Sequence, residues 1–156
     1  MTVRFGTFLL LALLVTACDT PAVFKENVDL DGGRWYVRQT PSFAFEIDDP
    51  ARPYHVYYNL RNTSTYPYYN LYVTRTLLDS AGRVLERKLD QLQLADAATG
   101  KPLGSGLGDL YDHKILAMKA FRFPYRGKYT LRIQQYMRQN PLPDIQSVGL
   151  SIERVP

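Results

Sequence analysis

A single cysteine, Cys18, closes an unbroken apolar block, and that placement sets the conditions under which the rest of the chain folds. Arg4 supplies a basic start, Phe8 to Val15 reads FLLLALLV, and Val15-Thr16-Ala17-Cys18 packs small residues against the thiol. An ordinary secretory signal has the same basic and apolar regions but ends at an A-x-A-like site and needs no cysteine. Here the cysteine sits where a lipoprotein signal peptidase would leave it as the new N-terminus. Cys18 is therefore the expected lipid attachment residue, with a diacylglycerol on sulfur and an N-acyl chain on the freed amine. No other cofactor is expected. The block is too short for a spanning helix, which needs about 20 apolar residues. A core helix would not call for a basic start and a small-small-Cys ending.

On this reading residues 1–17 are a cleaved signal peptide, 18–22 a lipidated tether and 23–156 one folded domain. One acyl chain binds a bilayer only marginally, whereas two or three hold firmly. The protein is expected in the cell envelope, lipid-anchored to the cell membrane or the outer membrane, facing the periplasm or exposed at the surface. Asp19 after the cysteine favours the inner membrane in enteric bacteria, and other bacterial groups sort differently. With its one thiol taken by lipid, the remainder has no disulfide and is held by its core alone.

The 139 residues from Cys18 onward suffice for one domain and its core. Loss of Arg4 lowers the formal net charge from +4 to +3. That balance, with both signs interspersed and no basic arm or zinc spacing, excludes a nucleic-acid signature. Twelve tyrosines stand beside 10 glycines and 10 prolines. Tyrosine suits half-buried strands, and glycine and proline punctuate them.

The periodicity agrees. Phe43, Phe45 and Ile47 alternate with polar or small residues, as do Tyr54, Val56, Tyr58 and Leu60 with His55, Tyr57, Asn59 and Arg61. Leu71, Val73, Arg75 and Leu77 share one face of the next strand. Asp79-Ser80-Ala81-Gly82 reads as a hairpin connection to a strand over Val84 to Leu94. Ala95 to Asp112 carries four glycines in nine residues and reads as an ordered loop. Lys114 to Phe123, the Tyr129-Leu131-Ile133 alternation and Val148-Leu150-Ile152 complete the set, with Val23 to Glu26 as a first edge strand. In Gly-x-Tyr-x-Leu-x-Ile the tyrosine has the look of a corner pinned by its hydroxyl. About eight strands and no amphipathic helix predict an all-β fold, an antiparallel β-sandwich of immunoglobulin-like or jelly-roll-like kind. An up-and-down barrel is the alternative.

Catalytic chemistry is sparse. His55 and His113 lie far apart, no G-x-S-x-G elbow is present, and no carboxylate pair stands out. His113 after Asp112 gives two neighbouring ligands, too few for a metal site, so no metal is expected and the chain reads as no enzyme. Gly104, Gly106 and Gly108 offer backbone N–H groups to an anion, but the loop lacks a P-loop ending. Tight turns and close backbone approach explain such glycines more simply. Arg122, Arg126, Lys128, Arg132 and Arg138 form a basic run that fits a solvated face. Tyr54 to Tyr72 contains seven tyrosines in nineteen residues, and an exposed subset would make a binding platform for protein or glycan. Arg61 and Asn62 at a strand end, with Tyr66, Tyr68 and Tyr69, are the candidate interaction residues, together with Gly104, Gly106, Gly108 and Asp109.

Several blocks together resemble the GldH family of gliding-motility lipoproteins. They are the signal ending in Cys18, Phe43 to Asp48, Tyr54 to Asn62, Tyr66 to Leu71, Gly104 to Asp109, Gly127-Lys128-Tyr129, Gln134 to Arg138 and Val148-Gly149-Leu150. The resemblance covers most of Phe24 to Ile152 and supplies no catalytic residues. It implies an envelope lipoprotein that supports gliding over surfaces in bacteria whose gliding is coupled to type IX secretion. The expected partners are therefore the membrane, through the lipid, and envelope proteins of a gliding or secretion apparatus. A glycan partner is the alternative.

Overall fold

The computed structural model describes residues 22–156, so the expected signal peptide and Cys18 lie outside the described residues. Nine strands follow in chain order: β1 (Ala22–Asp29), β2 (Ser42–Ile47), β3 (Tyr54–Thr63), β4 (Asn70–Asp79), β5 (Val84–Gln93), β6 (Ser105–Leu107), β7 (Leu110–Phe121), β8 (Gly127–Gln135) and β9 (Ile145–Arg154). The one helical element among the described residues is a 3₁₀ turn at Asp31–Gly33. Two antiparallel sheets form, in the orders β1-β9-β3-β7-β6 and β2-β8-β4-β5. They stay separate sheets with edges and do not close into a barrel.

Alternation builds the core. Tyr54, Val56, Tyr58 and Leu60 of β3 and Val148, Leu150 and Ile152 of β9 are buried from one sheet. Phe43, Phe45 and Ile47 of β2, Leu71, Val73 and Leu77 of β4, and Tyr129, Leu131 and Ile133 of β8 meet them from the other. At one end Phe45, Phe123 and Tyr129 pack ring against ring, and Phe24 of β1 reaches Phe45 across the sandwich at 5.7 Å. Tyr129 pins its corner as expected: its hydroxyl donates to Tyr125 O at 2.6 Å and accepts from Tyr125 N–H at 3.1 Å. The Asp79 hairpin also forms. Its carboxylate accepts from Ala81 N–H and Arg83 N–H at 2.9 and 2.8 Å, while Gly82 supplies φ +77°.

The structure differs from expectation in two places. The segment Ala95 to Asp112 is not loop throughout. Ser105–Leu107 pairs with the start of β7, and Gly108, at φ +67°, makes the turn between them. Glycine content hid this short strand because its side chains give no alternation. The first edge strand runs on to Asp29 and starts at Ala22, inside the expected tether. Trp35, between β1 and β2, bridges to Leu142 and is fully buried.

Candidate functional site

The candidate residues sort into two groups. The first lies where the end of β3 meets the β6–β7 hairpin. Arg61 is exposed and forms a two-point pair with Asp112, Nε to Oδ1 at 2.7 Å and Nη2 to Oδ2 at 3.1 Å. The adjacent Asn62 is buried. Its Nδ2 donates to Thr63 O at 2.8 Å, so Oδ1 must face His113 Nε2, 2.7 Å away. That arrangement assigns the proton of the neutral ring to Nε2. Burial pushes the His113 pKa below its ordinary value, against a smaller opposing effect of Asp112.

The glycines serve this corner. A Cβ on Gly104 would stand 2.6 Å from Asp112 O and 2.7 Å from His113 Cε1. On Gly106 it would stand 2.6 Å from the Tyr111 ring. Both glycines let β6 lie flat against its neighbour. Asp109 O accepts from Ser64 N–H at 2.7 Å and ties the hairpin tip to the chain after β3. Arg61, Asn62, Gly104, Gly106, Gly108 and Asp109 thus belong to one joint.

The second group is the tyrosines. Alternation puts Tyr54 and Tyr58 in the core. Tyr66 is half-buried, with its hydroxyl donating to Asn70 O at 3.0 Å, and burial raises its pKa far above the usual phenol range. Tyr68 and Tyr69 are exposed, and Tyr68 donates to Gln139 Oε1 at 2.8 Å. Tyr68 joins Tyr72, Leu89, Tyr136, Met137 and Arg138 around a groove of about 480 Å³ on the outside of the four-stranded sheet. Tyr136, 64% exposed, is its most open ring. It follows β8 directly, and its N–H donates to Tyr72 O at 2.8 Å, which lines the two rings up on one face. Tyr136 and Leu89 are not among the candidate residues that the sequence pattern marks. Their signal was a lone tyrosine after QQ and an irregular alternation along β5.

The basic run does not form one patch. Arg122 donates to Ala51 O in the loop below β3, Lys128 and Arg132 lie on β8, and Arg138 stands at the groove. His55 accepts from Ala120 N–H at 3.1 Å through Nδ1.

A further polar cluster lies inside the sandwich. Arg75, 3% exposed, stands on β4 between the core residues Val73 and Leu77. Its Nη2 is 2.8 Å from Glu86 Oε1 and its Nε 3.1 Å from Asp90 Oδ2, both on β5. The Nε contact is ionic but misaligned for a hydrogen bond, and Nη1 has no partner among the described residues. Tyr58 donates from the opposite sheet to Asp90 Oδ2 at 2.6 Å. Burial first, then Asp90, hold the Tyr58 hydroxyl protonated far above its ordinary range. No group of three or more His, Cys, Asp or Glu poised for a metal occurs among the described residues.

Comparison with known proteins bears on this architecture. The model of the GldH lipoprotein family matches residues 22–152. A gliding motility lipoprotein GldH of Flavobacterium johnsoniae is 29% identical over 157 aligned positions, covering 96% of this chain and 95% of the relative. A GldH homolog of Christiangramia forsetii is 28% identical, covering 94% and 93%. Among solved structures, an arabinose-bound α-L-arabinofuranosidase aligns at TM-score 0.37 and 12% identity, over 82% of this chain and 19% of the enzyme. The VP2 subviral particle of infectious bursal disease virus aligns at 0.34 and 14%, over 83% and 30%. These two likenesses are too distant to carry a functional argument.

Proposed function

The chain belongs to the GldH lipoprotein family of gliding-motility lipoproteins, and from that membership we propose that it is a non-catalytic adaptor of the cell envelope. In this reading Cys18 carries the lipid and the sandwich presents a docking face to other envelope proteins of the gliding machinery and its coupled type IX secretion. The observation that carries it is the groove of Tyr68, Tyr72, Leu89, Tyr136 and Met137. Aromatic side chains half-exposed on a rigid sheet supply contact area at little entropic cost, which is the character of an interface anchor. The strand β1 begins four residues after Cys18. An extended chain spans at most about 3.6 Å per residue, so the tether keeps the domain within about 14 Å of the bilayer.

The test is deletion of the gene combined with crosslinking and affinity capture of the tagged chain from intact cells. Loss of gliding, with recovery of defined envelope proteins by the wild type and not by Tyr136→Ala, is the expected result. Intact gliding and secretion with no captured envelope partner would overturn the adaptor reading.

A second reading draws on the same groove. Three tyrosine rings beside Arg138 offer stacking faces and one cation to a glycan. Glycan arrays probed with wild type and Tyr68→Ala separate the two, since binding that survives the substitution removes the platform.

A further inference from the structure

We propose that the chain pairs with a second copy of itself, edge to edge along β5, about a two-fold axis at Leu89. Each sheet ends in two edge strands, β1 and β6 in one, β2 and β5 in the other. At ten residues, β5 is the longest of the four, against eight, three and six. An unpaired edge is a template for another strand, and the charges of Arg87, Lys88 and Asp90 restrict β5 to a strand that matches them.

The backbone of β5 is set for pairing. Leu94 N–H donates to Tyr69 O at 2.8 Å, which marks that pair as hydrogen-bonded. Continuing the register, Leu92, Asp90 and Lys88 turn their backbone groups toward β4. Arg87, Leu89 and Gln91 turn theirs away from the sheet, where no described strand meets them.

The side chains select the occupant. In an antiparallel pair about Leu89, Leu89 faces its copy, Lys88 faces Asp90 and Arg87 faces Gln91, each polar match occurring twice. Moving the axis to Arg87, Lys88 or Asp90 sets like charges directly opposite, which is destabilising. An axis at Gln91 avoids like charges but sets Asp90 against Leu92, so the register about Leu89 is the one that gains both polar matches. Leu89 is 50% exposed and borders the tyrosine groove, so pairing would join two grooves across the axis and cover both leucines. The interface is isologous, as two-fold assemblies require.

The test uses the full-length lipoprotein in its own membrane and rests in part on the lipidation of Cys18 proposed above. With Cys18 lipidated, Leu89→Cys introduces the only free thiol. Across the proposed axis the two Cα atoms stand about 5.5 Å apart, within disulfide range. Leu116→Cys, on the outer face of the other sheet and 44% exposed, is the control. The expected result is a band of twice the monomer mass on non-reducing gels for Leu89→Cys and not for Leu116→Cys or wild type. Detergent-extracted wild type should sediment as a dimer, and Leu89→Lys as a monomer. Sedimentation of wild type as a monomer, or equal crosslinking of both cysteine variants, overturns the pairing. A disulfide-linked dimer in wild type has a different meaning, because it exposes a free Cys18 thiol and sinks the anchor reading instead.

Discussion

Tyr58 donates its hydroxyl to Asp90 Oδ2 at 2.6 Å and so ties the middle strand of one sheet to an edge strand of the other. The same Asp90 oxygen stands 3.1 Å from Arg75 Nε, and Arg75 reaches on to Glu86. An edge strand with acids turned inward would be poorly held by apolar burial. Here it is held by a buried guanidinium, and Asp90 joins the two.

Truncation at each end of this chain of contacts should therefore differ in cost. Tyr58→Phe keeps the ring and removes one charge-assisted hydrogen bond, for a loss of about 1–3 kcal/mol. Asp90→Ala strips Arg75 of a counter-ion as well and should cost about 3–5 kcal/mol. Denaturant unfolding of both variants measures the order. Equal or reversed losses would show that Arg75 is satisfied without Asp90.

His113 gives a pH dependence. Its folded pKa lies below the ordinary value of 6.5 because burial disfavours the imidazolium. Between the lowered pKa and about 6.5 the unfolded chain binds the proton and the folded chain does not, so stability rises with pH there. The contribution is fully present above 6.5 and is lost as pH falls through the folded pKa. Unfolding midpoints compared at pH 7.5 and 5.5 should drop on acidification in wild type, and drop less in His113→Gln. A decline of the same size in both would assign the effect elsewhere.

The glycines of the β6–β7 joint predict an order of their own. Gly104→Ala drives a methyl against the Asp112 carbonyl and the His113 ring, and overpacking of this kind costs about 1–3 kcal/mol. Gly108→Ala meets nothing within 4 Å and bears only the strain of φ +67°, about 1 kcal/mol. Unfolding midpoints rank the two, and amide exchange at Ser105 to Leu107 should accelerate most in Gly104→Ala. A larger loss for Gly108→Ala would mean that β6 does not need to lie against His113.

Much of this architecture is written in period-two patterns, and the exceptions have physical causes. Phe43-Phe45-Ile47 and Tyr54-Val56-Tyr58-Leu60 are legible because one face of each strand is buried and the other is not. Arg75 is legible as a core-facing residue from its spacing to Val73 and Leu77, but its partners are not. Glu86 and Asp90 occupy inward positions of β5 while Leu89 faces out, so that strand breaks the hydrophobic rule that makes strands readable. β6 was invisible for the opposite reason, since Ser105, Gly106 and Leu107 are all exposed and carry no pattern. The tyrosine cluster was legible as composition only. Which rings surface depends on Tyr136, brought beside Tyr72 by the pairing of β8 with β4.

That pairing makes Tyr136 the place to separate binding from folding. Its ring is 64% exposed and makes no side-chain hydrogen bond among the described residues. Removing it should leave stability within about 0.5 kcal/mol, the range of surface substitutions away from special features. If the groove is an interface, the same removal takes away an aromatic anchor, and such truncations cost about 2 kcal/mol or more in binding. Tyr136→Ala should then fold with an unchanged unfolding midpoint, yet recover at least tenfold less partner after crosslinking in cells. Leu116→Ala, an exposed leucine on the other sheet, should leave recovery unchanged. Undiminished recovery by Tyr136→Ala at wild-type stability would move the interface off this groove.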